Sequence, residues 1–386
     1  MQNLKIGDVC YLQNGFAFKS KLFKDSGKPI LRISNIQNEK IDVRRPVFFE
    51  PSDYKGIDFK KYEVKKGDLL IAMSGATTGK IGFNYSETTF YLNQRVGKLI
   101  PNEYLDKKYL FYILSTKVEE NLNISKGAAQ PNLSSEQIKN IKIQLPTIIE
   151  QQQIVAKIEN FFFKIDKQIE LTKINTVNIN TLLDNFLVDL YNQDCFEELK
   201  INDICKIIGG SQPPKSLFQK EKNENNVRLL QIRDYKNDNH IIYIPKKSTK
   251  KFCNEKDIMI GRYGPPLFQI LRGLKGAYNV ALMKAIPKLE KIKNDYLFYF
   301  LKNKKIQNYI ISLSHRAAGQ TGVNKVTLMS YPIKLPPLNT QNKIVEKTTK
   351  IQNYCEKISY LELKKQKNLN LLKKSLLKTY LNSKST

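Results

Sequence analysis

The 386-residue chain is too long for one hydrophobic core of ordinary size, and its 41% apolar content is sufficient for packed cores, so we expect two or more domains. Its 64 lysines and arginines outnumber the 36 acidic residues, and the net charge of +28 favours a polyanion as the partner because the charge otherwise repels itself. A transmembrane helix is excluded because no run of 18 apolar residues occurs, and the missing signal-peptide core indicates a cytoplasmic protein with no membrane partner.

The first half of the chain predicts short strands followed by a helix. Residues 4–10 open it, and a glycine-containing turn leads to residues 30–35, where alternating and β-branched residues indicate a strand. Residues 66–73 indicate a turn that enters a buried strand, and residues 109–112 (YLFY) indicate a helix. A loop of small residues, 127–132, then precedes a short apolar segment that ends in a proline.

The second half repeats this order. Residues 199–205 (LKINDIC) match the opening LKIGDVC. Gln130 corresponds to Gln320 and Pro146 to Pro336 at one offset of 190 residues, while other matches drift between 186 and 195. Loop insertions in a diverged tandem duplication produce such a drift, so we predict two copies of one domain and not a solenoid.

Two long segments without proline or glycine follow the two copies. Residues 150–191 and 341–381 could each extend about 60 Å as helices, at 1.5 Å per residue, and their apolar residues recur at helical spacing. Helices of this length need a partner that buries their apolar stripes. The predicted seam of a helix pair consists of Ile154, Ile158, Phe161, Ile165, Ile344, Ile351 and Ile358.

Charge favours these two helices as each other's partner. Residues 150–191 hold four lysines against six acidic residues, a net −2, and residues 341–386 hold eleven against three, a net +8. We therefore predict an antiparallel pair that joins the halves with approximate two-fold symmetry, although exposed ion pairs add little. The alternative is two separate amphipathic helices, each packed on its own domain.

The sequence offers no catalytic constellation. Residues 75–80 (GATTGK) approximate a phosphate-binding loop, but they are one residue short, Ile81 stands where Ser or Thr must hold magnesium, and a strand-like segment follows. A tight turn whose amides approach a DNA phosphate is the better interpretation. None of the three Pro-Pro pairs fits the tetrad of a base-methylating enzyme, no glycine-rich cofactor loop occurs, and Glu-x-Lys triplets arise by chance in so basic a chain. We therefore expect this chain to bind no cofactor and no metal.

The five cysteines are an odd number and include no C-x-x-C pair. With only two histidines, the chain cannot assemble a zinc cluster at ligand spacing. Cys10 and Cys205 occupy matching places in the two halves, and buried reduced thiols are the expected state.

The residues do support binding to nucleic acid. Arginine can bond guanine bidentately, whereas lysine mostly neutralises phosphate; for any one arginine a plain salt bridge or a phosphate contact is the alternative. Gln130 and Gln320, in their small-residue loops, could read adenine or cap a turn. A codon bias toward lysine is the alternative explanation of the charge as a whole. The candidate DNA-binding residues are Lys19, Arg32, Asn35, Arg44, Arg45, Ser74, Thr77, Lys80, Gln130, Lys215, Arg228, Gln231, Arg233, Arg262, Tyr263, Arg272, His315, Arg316 and Gln320.

The order of these segments resembles the specificity (S) subunit of type I restriction–modification enzymes. The segments that carry the resemblance are GDLLIAMSGATTGKIG (67–82), NQRVGKLIP (93–101), YLFYIL (109–114) and residues 127–158 in the first half, and KIIGGSQPPKS (206–216), DIMIGRYGPP (257–266) and IKLPPLNTQNKIV (333–345) in the second. Their order and double occurrence over nearly the whole chain are specific.

The resemblance implies two target-recognition domains that each read one half of a split DNA site, spaced by long helices that dock methyltransferase (M) subunits. S-adenosylmethionine chemistry on adenine would belong to those subunits, and a motor–nuclease (R) subunit, with ATP and Mg, would join for restriction. The second copy departs from the pattern: AAGQTGVNKVTL lacks the Pro-Asn-Leu-Ser of the first loop, and residues 262–266 (RYGPP) replace residues 74–78 (SGATT). Base-reading residues vary within the family and are not transferred.

The predicted fold is of the α/β (α+β) class. It has two duplicated target-recognition domains with twisted β-sheets, residues 1–148 and 193–338, joined by two long antiparallel helices, residues 149–192 and 339–386, about a pseudo-two-fold. The predicted function is a non-catalytic reader of a bipartite double-stranded DNA target, assembled with M and R subunits. The alternatives are a self-sufficient DNA-modifying or DNA-cleaving enzyme with a diverged motif, and a scaffold that binds anionic protein or membrane surfaces.

Overall fold

The computed structural model describes residues 2–37, 39–44, 46–75, 78–124, 132–193, 196–314 and 322–382. The chain divides into two compact units: unit 1 comprises Met1–Glu170 and Gln366–Thr386, and unit 2 comprises Leu171–Lys365. The division passes through both long helices, so each unit contains its own sheets and a segment of each helix.

Unit 1 is built from short strands and short helices that precede one long helix. In chain order these are β1 (Gln2–Lys5), α1 (Ile6–Val9), β2 (Cys10–Asn14), β3 (Lys28–Leu31), β4 (Ile36–Gln37), β5 (Lys40–Ile41), β6 (Val47–Phe49), β7 (Glu63–Val64), β8 (Leu69–Ala72), β9 (Ile81–Phe83), β10 (Phe90–Leu92), β11 (Val96–Pro101), α2 (Lys107–Ile124), α3 (Ser135–Lys139), β12 (Lys142–Leu145) and α4 (Ile148–Tyr191), the last belonging to this unit up to Glu170.

The strands of unit 1 form three sheets. β1 pairs with β12, a four-stranded sheet has the order β6-β3-β10-β7, and a six-stranded sheet has the order β2-β11-β8-β9-β5-β4. Most pairs are antiparallel, whereas β3 with β10 and β5 with β9 are parallel. The α+β class is confirmed by these mixed sheets and their helices.

The predicted buried strand, β8, has all four of its side chains buried. Leu69 and Ile71 pack in a core with α2, and Leu70 and Ala72 pack on the other side in a core with β10. Alternate side chains of a strand point to opposite faces, so two covered faces explain the continuous apolar run.

Unit 2 follows a similar order of elements, but its described residues contain ten strands against twelve in unit 1, and two helices stand where unit 1 has α2. They are β13 (Glu197–Lys200), α5 (Ile201–Ile204), β14 (Cys205–Gly209), β15 (Asn226–Leu230), β16 (Tyr243–Pro245), β17 (Phe252–Cys253), β18 (Ile258–Gly261), β19 (Gln269–Leu271), β20 (Gly276–Tyr278), β21 (Leu282–Pro287), α6 (Asn294–Lys302), α7 (Lys304–Ser314), α8 (Lys325–Met329), β22 (Pro332–Leu335) and α9 (Leu338–Asn382), the last returning to unit 1 at Gln366. Its sheets have the orders β13-β22, β14-β21-β18-β19 and β16-β15-β20-β17.

The long helices begin where local chemistry allows a helix to start. In α4, Thr147 N–H donates to the Glu150 carboxylate at 2.8 Å and Glu150 N–H donates to Thr147 Oγ1 at 3.4 Å, the reciprocal bonds of a capping box. α9 follows two prolines directly, and proline suits a helix start because its missing N–H would have no partner there.

The two long helices run antiparallel within each unit. In unit 1, the Phe161 ring lies 5.8 Å from the Tyr380 ring, and Lys373 Nζ lies 2.6 Å from the Asp166 carboxylate. Higher residue numbers in α4 thus meet lower ones in α9.

Unit 2 shows the same direction. Asn175 Nδ2 donates to Glu362 Oε1 at 3.0 Å, and the hydroxyls of Tyr191 and Thr348 lie 3.3 Å apart. The predicted antiparallel pairing is confirmed in each unit, while the two-fold relation between the domains stays a prediction. Within the described ranges, every helix is too short or too polar to span a lipid bilayer.

Candidate nucleic-acid interface

Four segments meet at one edge of unit 1, which we call the unit 1 loop edge: residues 32–35, 73–75, 93–95 and 132–134. Met73 N–H donates to Arg95 O at 2.9 Å, and Leu133 N–H donates to Met73 O at 2.8 Å. Asn93 N–H donates to Leu31 O at 3.1 Å, which ties the same edge to the end of β3. Segments far apart in sequence are thereby fixed next to each other by main-chain bonds.

A cleft of about 730 Å³ opens at the unit 1 loop edge. The hydroxyl oxygen of Ser74 is buried there without a hydrogen-bond partner among the described residues. Much of the lining is polar, with Asn14, Ser74, Gln94, Arg95, Asn132 and Ser134 contributing. Donors and acceptors of this mixture can match base edges or phosphates.

The unit 2 loop edge, residues 231–234, 262–264, 279–281 and 322–324, repeats the same three main-chain bonds. Arg262 N–H donates to Ala281 O at 2.8 Å and Val323 N–H donates to Arg262 O at 3.0 Å. Asn279 N–H donates to Leu230 O at 3.1 Å. The two edges are therefore equivalent at the level of the backbone.

The side chains at the two edges differ. Ser74 forms a β-bridge with Asn132 in unit 1. In unit 2 the Tyr263 ring lies so close to Gly322 that a Cβ there would be 2.8 Å from it, and the Arg262 guanidinium lies 5.2 Å from the ring centroid. A large aromatic residue facing glycine replaces a small residue facing asparagine.

A 3-10 turn follows β3 in unit 1 and β15 in unit 2. Arg32 N–H donates to Asn35 Oδ1 at 2.9 Å, and Gln231 N–H donates to an Asp234 carboxylate oxygen at 2.8 Å. Asn35 is buried and its amide nitrogen also donates to Asp42 O at 3.0 Å. The Asn35 amide therefore holds the turn through both its oxygen and its nitrogen, and its selection as a DNA-contacting residue stays a prediction.

Three of the predicted arginines form ion pairs. Arg44 binds Asp42 at 2.9 Å and Arg228 binds Asp238 at 2.8 Å. Arg272 binds Asp295 at 2.6 Å and its guanidinium lies 3.8 Å from the Phe298 ring centroid, so it secures the β19–α6 packing. These three match the salt-bridge alternative.

Arg32, Arg233 and Arg262 have no ion-pair partner within the described part of the chain, and Arg233 and Arg262 are exposed. Lys19, Lys80 and Lys215 are exposed, and Lys80 Nζ donates to Gln37 Oε1 at 3.1 Å. Gln231 is half-buried at the start of its turn. Arg45, Thr77, Gln130, His315, Arg316 and Gln320 lie outside the described residues.

The residues of the predicted helix seam have different surroundings. Ile158 and Ile344 are buried in the cores of units 1 and 2, respectively, and Ile165 is also buried. Ile154 and Ile351 are half-buried. Phe161 and Ile358 keep 37% and 44% of their surface exposed, so the apolar stripe serves the domain cores at least as much as the helix pair.

Sequence reasoning missed two glutamines that repeat at the offset of 190. Gln151 is fully buried: its Nε2 donates to Tyr104 O at 2.8 Å and Pro146 O at 2.9 Å, and its Oε1 accepts from Asp106 N–H at 2.8 Å. Gln341 makes the equivalent three bonds, to Lys291 O, Pro336 O and Lys293 N–H. The preserved spacing from Pro146 and Pro336 could have identified this pair.

Arg95 was also missed, because NQRVGKLIP was used only as a segment that carries the resemblance. Its side chain is exposed at the cleft, and no ion-pair partner for it exists among the described residues. A turn between two β-type segments was the available signal.

The structure describes four of the five cysteines and the strand after the glycine-rich turn, whereas Cys195 lies outside the described residues. Cys10, Cys205 and Cys253 are free and buried, and burial raises the pKa of Cys10 and of Cys205 to about 12. Cys355 is free and half-buried. The residues that the structure describes contain no cluster of three or more metal-ligating side chains. β9 follows the glycine-rich turn directly, where a phosphate-binding loop would require a helix.

The fold and the two loop edges define a duplicated module in which the same main-chain frame presents different side chains in its two copies. The sequence model described as "Type I restriction modification DNA specificity domain" matches residues 1–178 and again residues 193–373. The chain therefore belongs to this family, with two copies of its domain.

Individual relatives agree with the family. The chain is 28% identical to the MjaX specificity subunit assigned to a type I restriction enzyme of Methanocaldococcus jannaschii, over 94% of this chain and 89% of that one. A chain of a type I R-M system, solved for its complex assembly and conformational transition, matches with a TM-score of 0.72 at 18% identity over 98% of this chain and 97% of that one. The HsdS subunit from Thermoanaerobacter tengcongensis matches with a TM-score of 0.59 at 18% identity over 99% and 96%.

Proposed function

We propose that this chain is the DNA-reading subunit of a type I restriction–modification complex. Each loop edge would bind one half of a split double-stranded DNA site. The observation that carries the proposal is the repetition of three main-chain bonds at both edges while the side chains there differ. A fixed frame with variable contacts suits two modules that read different half-sites.

The net charge and the surface arginines support DNA as the ligand. The chain carries +28, and Arg262 and Arg233 are exposed at or beside the unit 2 loop edge. Lysines of such a surface neutralise phosphates and make binding depend strongly on salt. Arginines at loop edges can add base contacts.

Family membership supports a proposal for the catalytic partners. In this proposal M subunits bring S-adenosylmethionine and methylate adenine, and an R subunit brings ATP- and Mg-dependent translocation and cleavage. The chain itself would hold none of these groups, and the complex would act on DNA in the cytoplasm.

The two long helices would set the distance between the half-sites. α4 has 44 residues and α9 has 45, about 66 Å each at 1.5 Å per residue. Helices of this length are long enough to span half-sites about one helical turn, or 34 Å, apart.

An electrophoretic shift assay tests the reading function. The full chain is assembled with its methyltransferase partner and mixed with genomic fragments over a range of salt concentrations. We expect preferential binding to a subset of fragments that persists as salt rises. Equal binding to all fragments at every salt concentration would contradict the proposal.

A second experiment tests the spacing role. One heptad inserted into both α4 and α9 lengthens each by about 10.5 Å, or about three base pairs at 3.4 Å. We expect the spacer of the recognised site to change, and an unchanged spacer would contradict the role of the helices.

A third experiment tests whether catalysis lies elsewhere. The purified chain alone is incubated with labelled S-adenosylmethionine and DNA, and separately with DNA and magnesium. We expect neither methyl transfer nor cleavage; either activity would favour a self-sufficient enzyme.

A further inference from the structure

One cross-strand pair at each loop edge holds an arginine, but on opposite strands. In unit 1, Ala72 pairs with Val96, so the next residues, Met73 and Arg95, face each other beyond the end of the ladder. In unit 2, Gly261 pairs with Leu282, so Arg262 and Ala281 occupy the same two positions. The arginine comes from the turn before β11 in unit 1 and from the end of β18 in unit 2.

The main-chain bond of this pair is the same in both units. Met73 N–H donates to Arg95 O at 2.9 Å and Arg262 N–H donates to Ala281 O at 2.8 Å. Cβ atoms of directly opposed residues are about 4.5–5.5 Å apart, which is less than the reach of an arginine side chain. An arginine on either strand can therefore deliver its charge to the same place.

The neighbouring residues allow each arrangement. Met73, which follows β8, is buried in the core of unit 1, so a charged side chain would not be tolerated at this position. In unit 2 Arg262 is exposed over the Tyr263 ring, and Ala281 on the other strand leaves room for it. Both Arg95 and Arg262 are without a carboxylate partner within the described ranges, in contrast to Arg44, Arg228 and Arg272.

We propose that Arg95 and Arg262 are equivalent DNA contacts, one for each half-site, exchanged between the two strands of the same pair. This inference rests on the proposed function. Arg95 faces a cleft of about 730 Å³ that is also lined by Ser74, whose buried hydroxyl has no partner among the described residues. In this proposal Arg95 contacts a nucleotide that enters the cleft. The Arg262 guanidinium lies over the Tyr263 ring, and this cation–π contact holds it in place for binding DNA.

The test measures DNA affinity of the complex with its methyltransferase partner, on a fragment that the wild type binds preferentially. Arg95→Ala and Arg262→Ala are each expected to raise Kd about tenfold and to lower the slope of log K against log salt by about one where the contact is a phosphate. Where the contact is a base, the preference for the fragment over a scrambled one falls instead.

Matched controls remove one lysine from the opposite end of β8 in unit 1, the strand paired with β11, and from the opposite end of β18 in unit 2. Lys66→Ala precedes β8 and Lys256→Ala precedes β18, and both lysines are exposed. They are expected to change Kd less than about twofold, because a charge at the far end of the strand does not reach the loop edge.

A transposed variant tests equivalence directly. Arg262→Ala combined with Ala281→Arg gives unit 2 the arrangement of unit 1, and we expect it to restore Kd to within about threefold of the wild type. If Arg262→Ala lowers the melting temperature, Arg262→Gln, which keeps the stem over Tyr263, replaces it.

The outcomes separate the two proposals. A wild type with a fragment preference and arginine variants that bind like the lysine controls would overturn this inference and leave the reading function intact. A wild type without any fragment preference would overturn the reading function. A transposed variant as weak as Arg262→Ala would show that the two positions are not equivalent.

Discussion

Units 1 and 2 share several polar bonds that hold their frames and differ at their loop edges. Gln151 and Gln341 make the same three bonds to the backbone. Asp68 pairs with Lys98 at 3.6 Å in unit 1, and Asp257 pairs with Lys284 at 2.6 Å in unit 2. These bonds hold turns and strands that a recognition surface must keep in place.

The loop edges, in contrast, differ in the size, charge and polarity of their side chains. Ser74 and Asn132 in unit 1 correspond to Tyr263 and Gly322 in unit 2. The comparison teaches that a duplicated frame can conserve its main-chain bonds and still present two different surfaces, because main-chain bonds do not depend on which side chain a residue carries.

The largest expected effect breaks a close backbone crossing that both units share. A Cβ at Gly210 would lie 2.0 Å from Asn279 O, and one at Gly15 would lie 2.2 Å from Asn93 O. We expect Gly210→Ala and Gly15→Ala to cost about 3 kcal/mol, since neither carbonyl can move away. Urea unfolding measures the loss, and hydrogen exchange assigns it to unit 2 or unit 1.

The neighbouring glycine provides the control for that prediction. A Cβ at Gly209 has nothing within 4 Å, so Gly209→Ala is expected to change stability by less than about 0.5 kcal/mol. Equal losses for Gly209→Ala and Gly210→Ala would show that the crossing is not the cause.

The next effect tests the shared glutamine. Gln151→Ala and Gln341→Ala each remove the partners of three backbone groups, one buried and two partly buried, and we expect each to cost about 2–3 kcal/mol in urea unfolding. The exposed neighbours supply controls, because Gln152→Ala and Asn342→Ala lose no such bonds. A loss in one unit only would show that the repeated bonds are not equivalent in energy.

A smaller effect concerns a hydroxyl pair that unit 2 has and unit 1 lacks among its described residues. At the offset of 190, Tyr191 and Thr348 correspond to Leu381 and Ile158, which pack as apolar residues in unit 1. Thr348→Val leaves the buried Tyr191 hydroxyl unpaired and is expected to cost about 1–2 kcal/mol. Thr348→Val with Tyr191→Phe should recover most of it, and thermal unfolding of both variants checks this. A double variant that is less stable than Thr348→Val alone would contradict the comparison.

The smallest effect is a pH dependence confined to unit 2. Asp234 stands where unit 1 has Asn35, and burial, as the larger cause, raises the pKa of Asp234 above its ordinary value despite its bond from Gln231 N–H. A carboxyl with a raised pKa in the folded state stabilises the fold most below its unfolded pKa, and this contribution is lost as pH rises through the folded pKa.

Asp234→Asn removes that loss. We expect it to raise the melting temperature by about 2 °C at neutral pH and by less in acid. The converse Asn35→Asp is expected to make unit 1 less stable as pH rises. A melting temperature of Asp234→Asn that keeps the wild-type pH profile would contradict the role of Asp234.

Much of the frame could be predicted from local patterns. The two long helices begin at Ile148 and Leu338, close to the predicted starts at Glu150 and Gln341, because proline and capping residues mark helix starts locally. The apolar run of β8 likewise indicated a buried strand, because a continuous apolar segment is also a local pattern. The choice of DNA-contacting residues stays a prediction, since it rested on residue type without knowledge of neighbours.

The sequence by itself determined the duplication, the helix positions, the positive charge and the family, because each of these is recorded in spacing or composition. Only the tertiary structure decided which polar side chains remain available. Arg272 is bound by Asp295, 23 residues later, and Asn35 is turned inward by Asp42 O, whereas Arg95 faces an open cleft. Availability depends on partners that folding brings together, and residue type alone does not encode them.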